Sequence, residues 1–238
     1  MKRIILPFVA ACVALSVSDS VQAQSRMETL EDLMPESKTP GHPRRDITGR
    51  VTVFDSLLIH PLPDWTPYEI QANPITASKI NRERDGKTLK LTMVPREESF
   101  ESWRNQYGIL GFRDYPGDNR MHANEIARIF RTGCRPSNLR IGPLQGNPKI
   151  AMLVIACGSF ARQAQMGEVA AFVLMQRGKT AIRLYREWRG PAFRSEDLNQ
   201  WPVSLKNVQR VIQTMTRARL VPAKGAPLKR FLDGSPKF

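Results

Sequence analysis

The chain has 238 residues, enough for one domain with a real core. Its formal charge of +14 speaks for association with anionic surfaces such as phospholipid head groups, lipopolysaccharide, acidic polymers or nucleic acid, and says nothing of fold. With three histidines and three cysteines, no two thiols close together and no paired histidines, metal binding is a poor rival to a disulfide.

Residues 1–23 read as a cleavable signal peptide. Lys2 and Arg3 form the positive start, Ile4 to Val17 is apolar apart from Pro7 and Ser16, and Val21-Gln22-Ala23 suits signal peptidase, so maturation is expected at Gln24. A membrane span would need about 20 consecutive apolar residues. The alternative is a lipobox at Val9-Ala10-Ala11-Cys12, with Cys12 lipidated; it leaves only about eight apolar residues before the cut. Removal of residues 1–23 takes away Lys2, Arg3 and Asp19 and leaves a charge of about +13.

Residues 24–49, with Pro35, Pro40 and Pro43 among charges, are expected to be a flexible leader. Residues 50–221 form a single expected domain. Residues 222–238 are an expected basic flexible tail carrying Lys224, Lys229, Arg230 and Lys237 among prolines and glycines.

Within the domain, Lys79 to Arg84 and Lys87 to Val94 flank Asp85-Gly86 and predict a hairpin. Phe100, Trp103 and Tyr107 at helical spacing predict a first helix over Glu97 to Tyr107, with Gly108 as its C-cap. Met121 to Thr132 predicts a second, with Ile126, Ile129 and Phe130 on one face. Strands are expected at Asn138 to Ile141, Lys149 to Cys157, Glu168 to Gln176 and Thr180 to Trp188, the last two joined by a tight turn at Arg177-Gly178-Lys179. Ile150 to Ala156 is apolar throughout, as in a strand covered on both faces, and is expected at the sheet centre. A last helix starts at Ser204 and repeats Leu205, Val208, Val211, Ile212 and Met215. The order argues α+β: an antiparallel sheet sandwiched by helices.

Cys134 and Cys157 survive maturation and are expected to be disulfide-bonded in an oxidising compartment. No nucleophile elbow, phosphate loop, zinc helix or dinucleotide fingerprint occurs, so no catalytic residue, cofactor or metal is assigned. The stretch Arg183 to Arg189 interleaves aromatics with arginines, the composition of a stacking and phosphate-binding surface, and nominates Arg183, Tyr185, Arg186 and Arg189 as binding residues. In a strand, Ile182, Leu184, Arg186 and Trp188 share one face, so ordinary packing with a salt-bridged outer face is the competing reading. His122 and Glu125, one helical turn apart, are candidates for an acid and base.

Glu98-Ser99-Phe100-Glu101-Ser102-Trp103 after a hairpin strand, Gly167-Glu168 followed by Gln176, and Tyr185 with Trp188-Arg189-Gly190-Pro191-Ala192-Phe193 resemble the PsbP-like superfamily of exported bacterial proteins over roughly residues 63–218. The resemblance implies an α/β/α sandwich and binding or assembly rather than catalysis. Its matches sit in structural elements, so it carries over no functional residue. The functional expectation is an exported, non-catalytic binding or assembly module, periplasmic or secreted, that contacts an envelope protein or an anionic surface or polymer. The alternatives are an enzyme acting on an anionic envelope substrate and an extracytoplasmic nucleic-acid-binding accessory.

Overall fold

The computed structural model describes residues 48–66 and 77–223. The expected signal segment, the Cys12 alternative and nearly all of the leader and tail lie outside them. Strand β1 (Thr48–Val53) and strand β2 (Ser56–Pro61) form a hairpin, and β11 (Arg219–Pro222) pairs with the other edge of β2. Thr48 and Gly49, expected in the leader, therefore belong to a strand, and Pro222 closes another. This small sheet was not anticipated.

The large sheet comprises β3 (Ser78–Arg84), β4 (Thr88–Pro95), β5 (Asn105–Phe112), β6 (Leu139–Ile141), β7 (Gln145–Asn147), β8 (Ile150–Cys157), β9 (Met166–Arg177) and β10 (Thr180–Pro191). Its order is β3-β4-β5-β10-β9-β8-β6, with β7 also on β8, and every pair is antiparallel. The Asp85-Gly86 turn forms as expected: the Asp85 carboxylate accepts from Lys87 N at 2.7 Å and Thr88 Oγ1 at 2.8 Å. At the other predicted turn, Arg177 pairs with Thr180, and that register runs unbroken to Met166 opposite Pro191.

Two helices form where the periodicity and caps place them. Asp118 accepts from Met121 N at the start of α1 (Asn119–Gly133), and Ser204 accepts from Asn207 N at the start of α2 (Leu205–Met215). Helix α1 lays Ala123 and Ile126 on Leu153, Ile155, Phe172 and Leu174. On the opposite face, α2 and the small sheet share one core, in which Val208, Ile212 and Met215 join Val154, Ala171, Val173, Val53 and Leu58. The protein is thus α+β and antiparallel, but it is dominated by sheet: each face carries one helix, and the second face is shared with three strands.

Two expectations are overturned. The helix over Glu97 to Tyr107 is absent. Residues 96–104 form a loop, tied down where the Glu98 carboxylate accepts from Arg104 N at 2.6 Å and Asn105 N at 2.8 Å, and Tyr107 and Gly108 lie inside β5. Pairing with β10 along Asn105–Phe112 and with β4 from Tyr107 onward satisfies the backbone on both sides of Tyr107 and Gly108, and outweighs a local helical spacing of three aromatics. Strand β8 is also not central. It neighbours the short β6 and β7, and its unbroken apolarity follows from α1 on one face and the α2 core on the other.

Cys134, at the C-terminus of α1, is disulfide-bonded to Cys157 at the end of β8, with Cα atoms 5.7 Å apart. Closing this loop stabilises the fold by about 3 kcal/mol in the chain-entropy account.

Candidate functional site

Strand β10 carries all four nominated binding residues, and its pleat divides them. Arg186 points into the α2 side, where its side chain is 3% exposed. Its Nε donates to Asp64 Oδ1 at 2.8 Å, Nη1 to the Glu187 carbonyl at 2.6 Å and Nη2 to Asn105 Oδ1 at 2.9 Å. The guanidinium lies between two indoles, 4.7 Å from the Trp65 centroid and 4.5 Å from that of Trp188. Every feature of this arginine faces inward, so it offers no group to a partner.

Arg183, Tyr185, Glu187 and Arg189 share the α1 side. Helix α1 covers β6, β8 and β9, and among the described residues no helix lies over β3, β4 and β5. On that open half the strand register builds rows: Arg183, Leu110, Lys90 and Glu83 across four strands; Tyr185, Gly108, Thr92 and Asn81 beside them; then Glu187 opposite Gln106. Lys90, Glu83 and Asn81 are exposed. Tyr185 lies down over Gly108, where a Cβ would fall inside its ring; this is why β5 needs glycine at that point. Burial raises the Tyr185 hydroxyl pKa, and the ring is only 7% exposed.

The charges here are knitted together. Arg189 Nη2 donates to Glu168 Oε2 at 2.9 Å, and its guanidinium carbon sits 3.8 Å from the Trp103 centroid. Gln106 Nε2 donates to Glu187 Oε2 at 2.8 Å. Burial, and then the neighbouring Glu168 carboxylate, push Glu187 up to about 8. Burial also raises Glu168, against the opposing pull of Arg189. Burial thus shifts both carboxyls toward the neutral form relative to isolated glutamates, with Arg189 opposing the shift at Glu168. The pairing of Glu168 with Arg189 was accessible in the sequence, because the β9–β10 turn fixes it by register.

Arg183 Nε donates to His122 Nε2 at 3.3 Å, which leaves the ring proton on Nδ1, and Nδ1 meets no hydrogen-bond partner among the described residues. His122 is fully buried, with Phe112 and Tyr115 at 5.2 and 5.1 Å between ring centroids. Burial, aided by the Arg183 charge, lowers its pKa to about 3. Glu125, half-buried on the next turn, acts electrostatically on the same arginine. The structure thus brings His122, Glu125 and Arg183 together, yet the imidazole has no exposed surface to offer a substrate. Among the described residues no three His, Cys, Asp or Glu side chains gather as metal ligands, and no helix is long and apolar enough to cross a membrane.

No protein-family model matches this chain. No curated protein matches it either. Among solved structures, it is similar to the crystal structure of the Ran-binding protein Mog1p of Saccharomyces cerevisiae, with 10% identity and a TM-score of 0.44, over 72% of this chain and 94% of that one.

Proposed function

We propose that this chain is an exported, non-catalytic binding module of the bacterial envelope, PsbP-like in kind, which docks a protein partner on the helix-free half of its large sheet. One observation carries the reading: Glu187 and Gln106, with Lys90, Glu83 and Asn81 on the neighbouring strands, stand in fixed strand register on a face that no described helix covers, with Arg183 at its margin against His122 of α1. Interleaved cations, carboxylates and amides suit a protein surface of mixed charge better than a uniform polyanion. The N-terminal signal pattern and the Cys134–Cys157 bridge support export.

The test is a photo-crosslinking residue placed at Asn81 in the cells of origin, with Lys206 on α2 as the control position. A discrete adduct from position 81, absent from position 206 and suppressed by Lys90→Glu or Arg183→Glu, is the expected result. Adducts of equal yield from both positions, or indifferent to the charge reversals, overturn the assignment of this face. Intact mass of the recovered protein reads the export half separately, through a chain that begins at Gln24.

A further inference from the structure

The turns at one end of the large sheet bring together cations that the β10 face does not use. Arg84 ends β3, Lys87 sits in the β3–β4 turn, Arg113 follows β5, and Arg177 and Lys179 bracket the β9–β10 turn. They surround the β1–β2 turn. The guanidinium carbons of Arg84 and Arg113 lie 5.5 and 4.6 Å from the Phe54 ring centroid, and Arg177 lines a surface depression with Phe54, Asp55, Pro222 and Ala223. Backbone bonds fix the cluster: Arg113 N donates to Lys87 O at 2.8 Å, and Tyr115 N to Lys179 O at 2.9 Å. Arg84, Lys87, Arg113 and Lys179 are exposed and Arg177 is half-buried. None of the ion pairs found among the described residues involves any of the five.

Four carboxylates share this end: Asp55 accepts from Thr180 Oγ1 at 2.6 Å and attracts Arg177, Asp85 closes its own turn beside Lys87, Asp118 caps α1, and Asp114 follows Arg113. Arg120 and Lys149 are exposed on neighbouring segments, which Asn119 Nδ2 to Pro148 O at 3.1 Å and Gln176 Nε2 to Gly117 O at 2.8 Å tie to this end, and they keep the cations in the majority. The chain also leaves the described structure here: Ala223 N donates to Asp55 O at 2.9 Å. The sequence beyond it holds Lys224, Lys229, Arg230 and Lys237 against one carboxylate, Asp233, and mixes them with Leu228, Phe231, Leu232 and Phe238.

From this convergence we infer that the turn end is a docking surface for an anionic phospholipid bilayer, separate from the sheet face that takes the protein partner. Cations carried on separate turns around an aromatic ring present a broad front to head-group phosphates. A following segment that combines basic with aromatic and aliphatic residues suits the lipid interface, where both kinds of side chain find partners, better than a nucleic-acid backbone.

The experiment is co-sedimentation of the full chain with vesicles of phosphatidylcholine alone or mixed with phosphatidylglycerol. Binding is expected to the mixed vesicles only and to weaken with salt. Arg84→Gln/Arg113→Gln/Arg177→Gln should weaken it on the order of 100-fold, since each cation at a membrane surface contributes roughly a few-fold to tenfold. Lys87→Gln/Lys179→Gln, which touches no aromatic ring, should weaken it on the order of 20-fold with an unchanged melting temperature. Arg128→Gln/Arg131→Gln/Arg135→Gln, in the C-terminal half of α1 and just beyond it, should leave it unchanged. Equal loss from the turn-end and α1 variants overturns the proposal. So does binding to single- or double-stranded DNA that is tighter than, and competitive with, binding to the mixed vesicles.

Discussion

Arg186 offers the sharpest test of the division between the two faces of β10, because the sequence nominates it for binding and the structure encloses it. Replacing it with alanine removes three hydrogen bonds from a charged donor and empties the space between Trp65 and Trp188. Removing one partner of a buried ion pair costs about 3–5 kcal/mol. Asp64 retains 24% exposure, so water rehydrates the abandoned carboxylate in part and the lower end of that range applies. Loss of two cation–indole contacts adds roughly 0.5–2 kcal/mol each, offset in part by collapse of the site. A net destabilisation of about 3 kcal/mol is expected, equivalent to a fall of roughly 6–12 °C in Tm for a domain of this size. Urea unfolding followed by tryptophan fluorescence and circular dichroism measures it, and an Arg186→Ala/Asp64→Asn cycle isolates the pair, with a coupling of at least about 1 kcal/mol expected. A loss below about 1 kcal/mol, or weakened partner binding at unchanged stability, would refute the enclosed-arginine reasoning.

Gly108→Ala should destabilise the protein by about 1–3 kcal/mol, because the new methyl displaces the Tyr185 ring, and Tyr185→Ala in the same chain should recover part of the loss in a urea melt. Glu187 has a folded pKa raised to about 8, so between the unfolded carboxyl range near 4.5 and pH 8 the native state binds the extra proton and stability falls as pH rises. Glu187→Gln should therefore flatten a Tm-against-pH profile between about pH 4.5 and pH 8 and leave it unchanged below that window; an identical slope in both proteins refutes the assigned titration.

Much of this architecture was legible because local signals and long-range packing agreed. Asp85-Gly86, Ser204 and the spacing of Val208, Val211 and Ile212 each specify turn or helix chemistry that the surrounding structure then uses. They disagreed at residues 97–107, where Phe100, Trp103 and Tyr107 repeat like a helix while Tyr107, Ile109 and Gly111 alternate like a strand. The deciding fact was a vacancy between β4 and β10 that only a strand fills, and no local window contains it. The small sheet was missed for a similar reason: Thr48–Val53 and Ser56–Pro61 are short, and the strand that completes them comes from Arg219–Pro222, at the other end of the domain. At the candidate site, alternation correctly separated Arg186 from Arg183, Tyr185 and Arg189. What it could not supply was Asp64, Trp65 and Asn105, which reach Arg186 from a distant part of the chain.

The same contrast changes how the basic composition should be read. Arginines inside a strand of a two-faced sheet must satisfy their donors within the fold. Arg186 does so with Asp64 and two indoles, Arg189 with Glu168 and Trp103, and Arg183 with His122. Their density along β10 is thus mostly a record of packing, and what remains available there is a mixed-sign surface with partly spent donors. At the turns the constraint is absent. Arg84 and Arg113 lean on Phe54, which satisfies the hydrocarbon and the face of the guanidinium but leaves the N–H groups to solvent. A positive charge held by an aromatic ring rather than a carboxylate keeps more of its field, so the cations least conspicuous in the sequence, scattered over separate turns, remain more open to solvent than the arginines along β10.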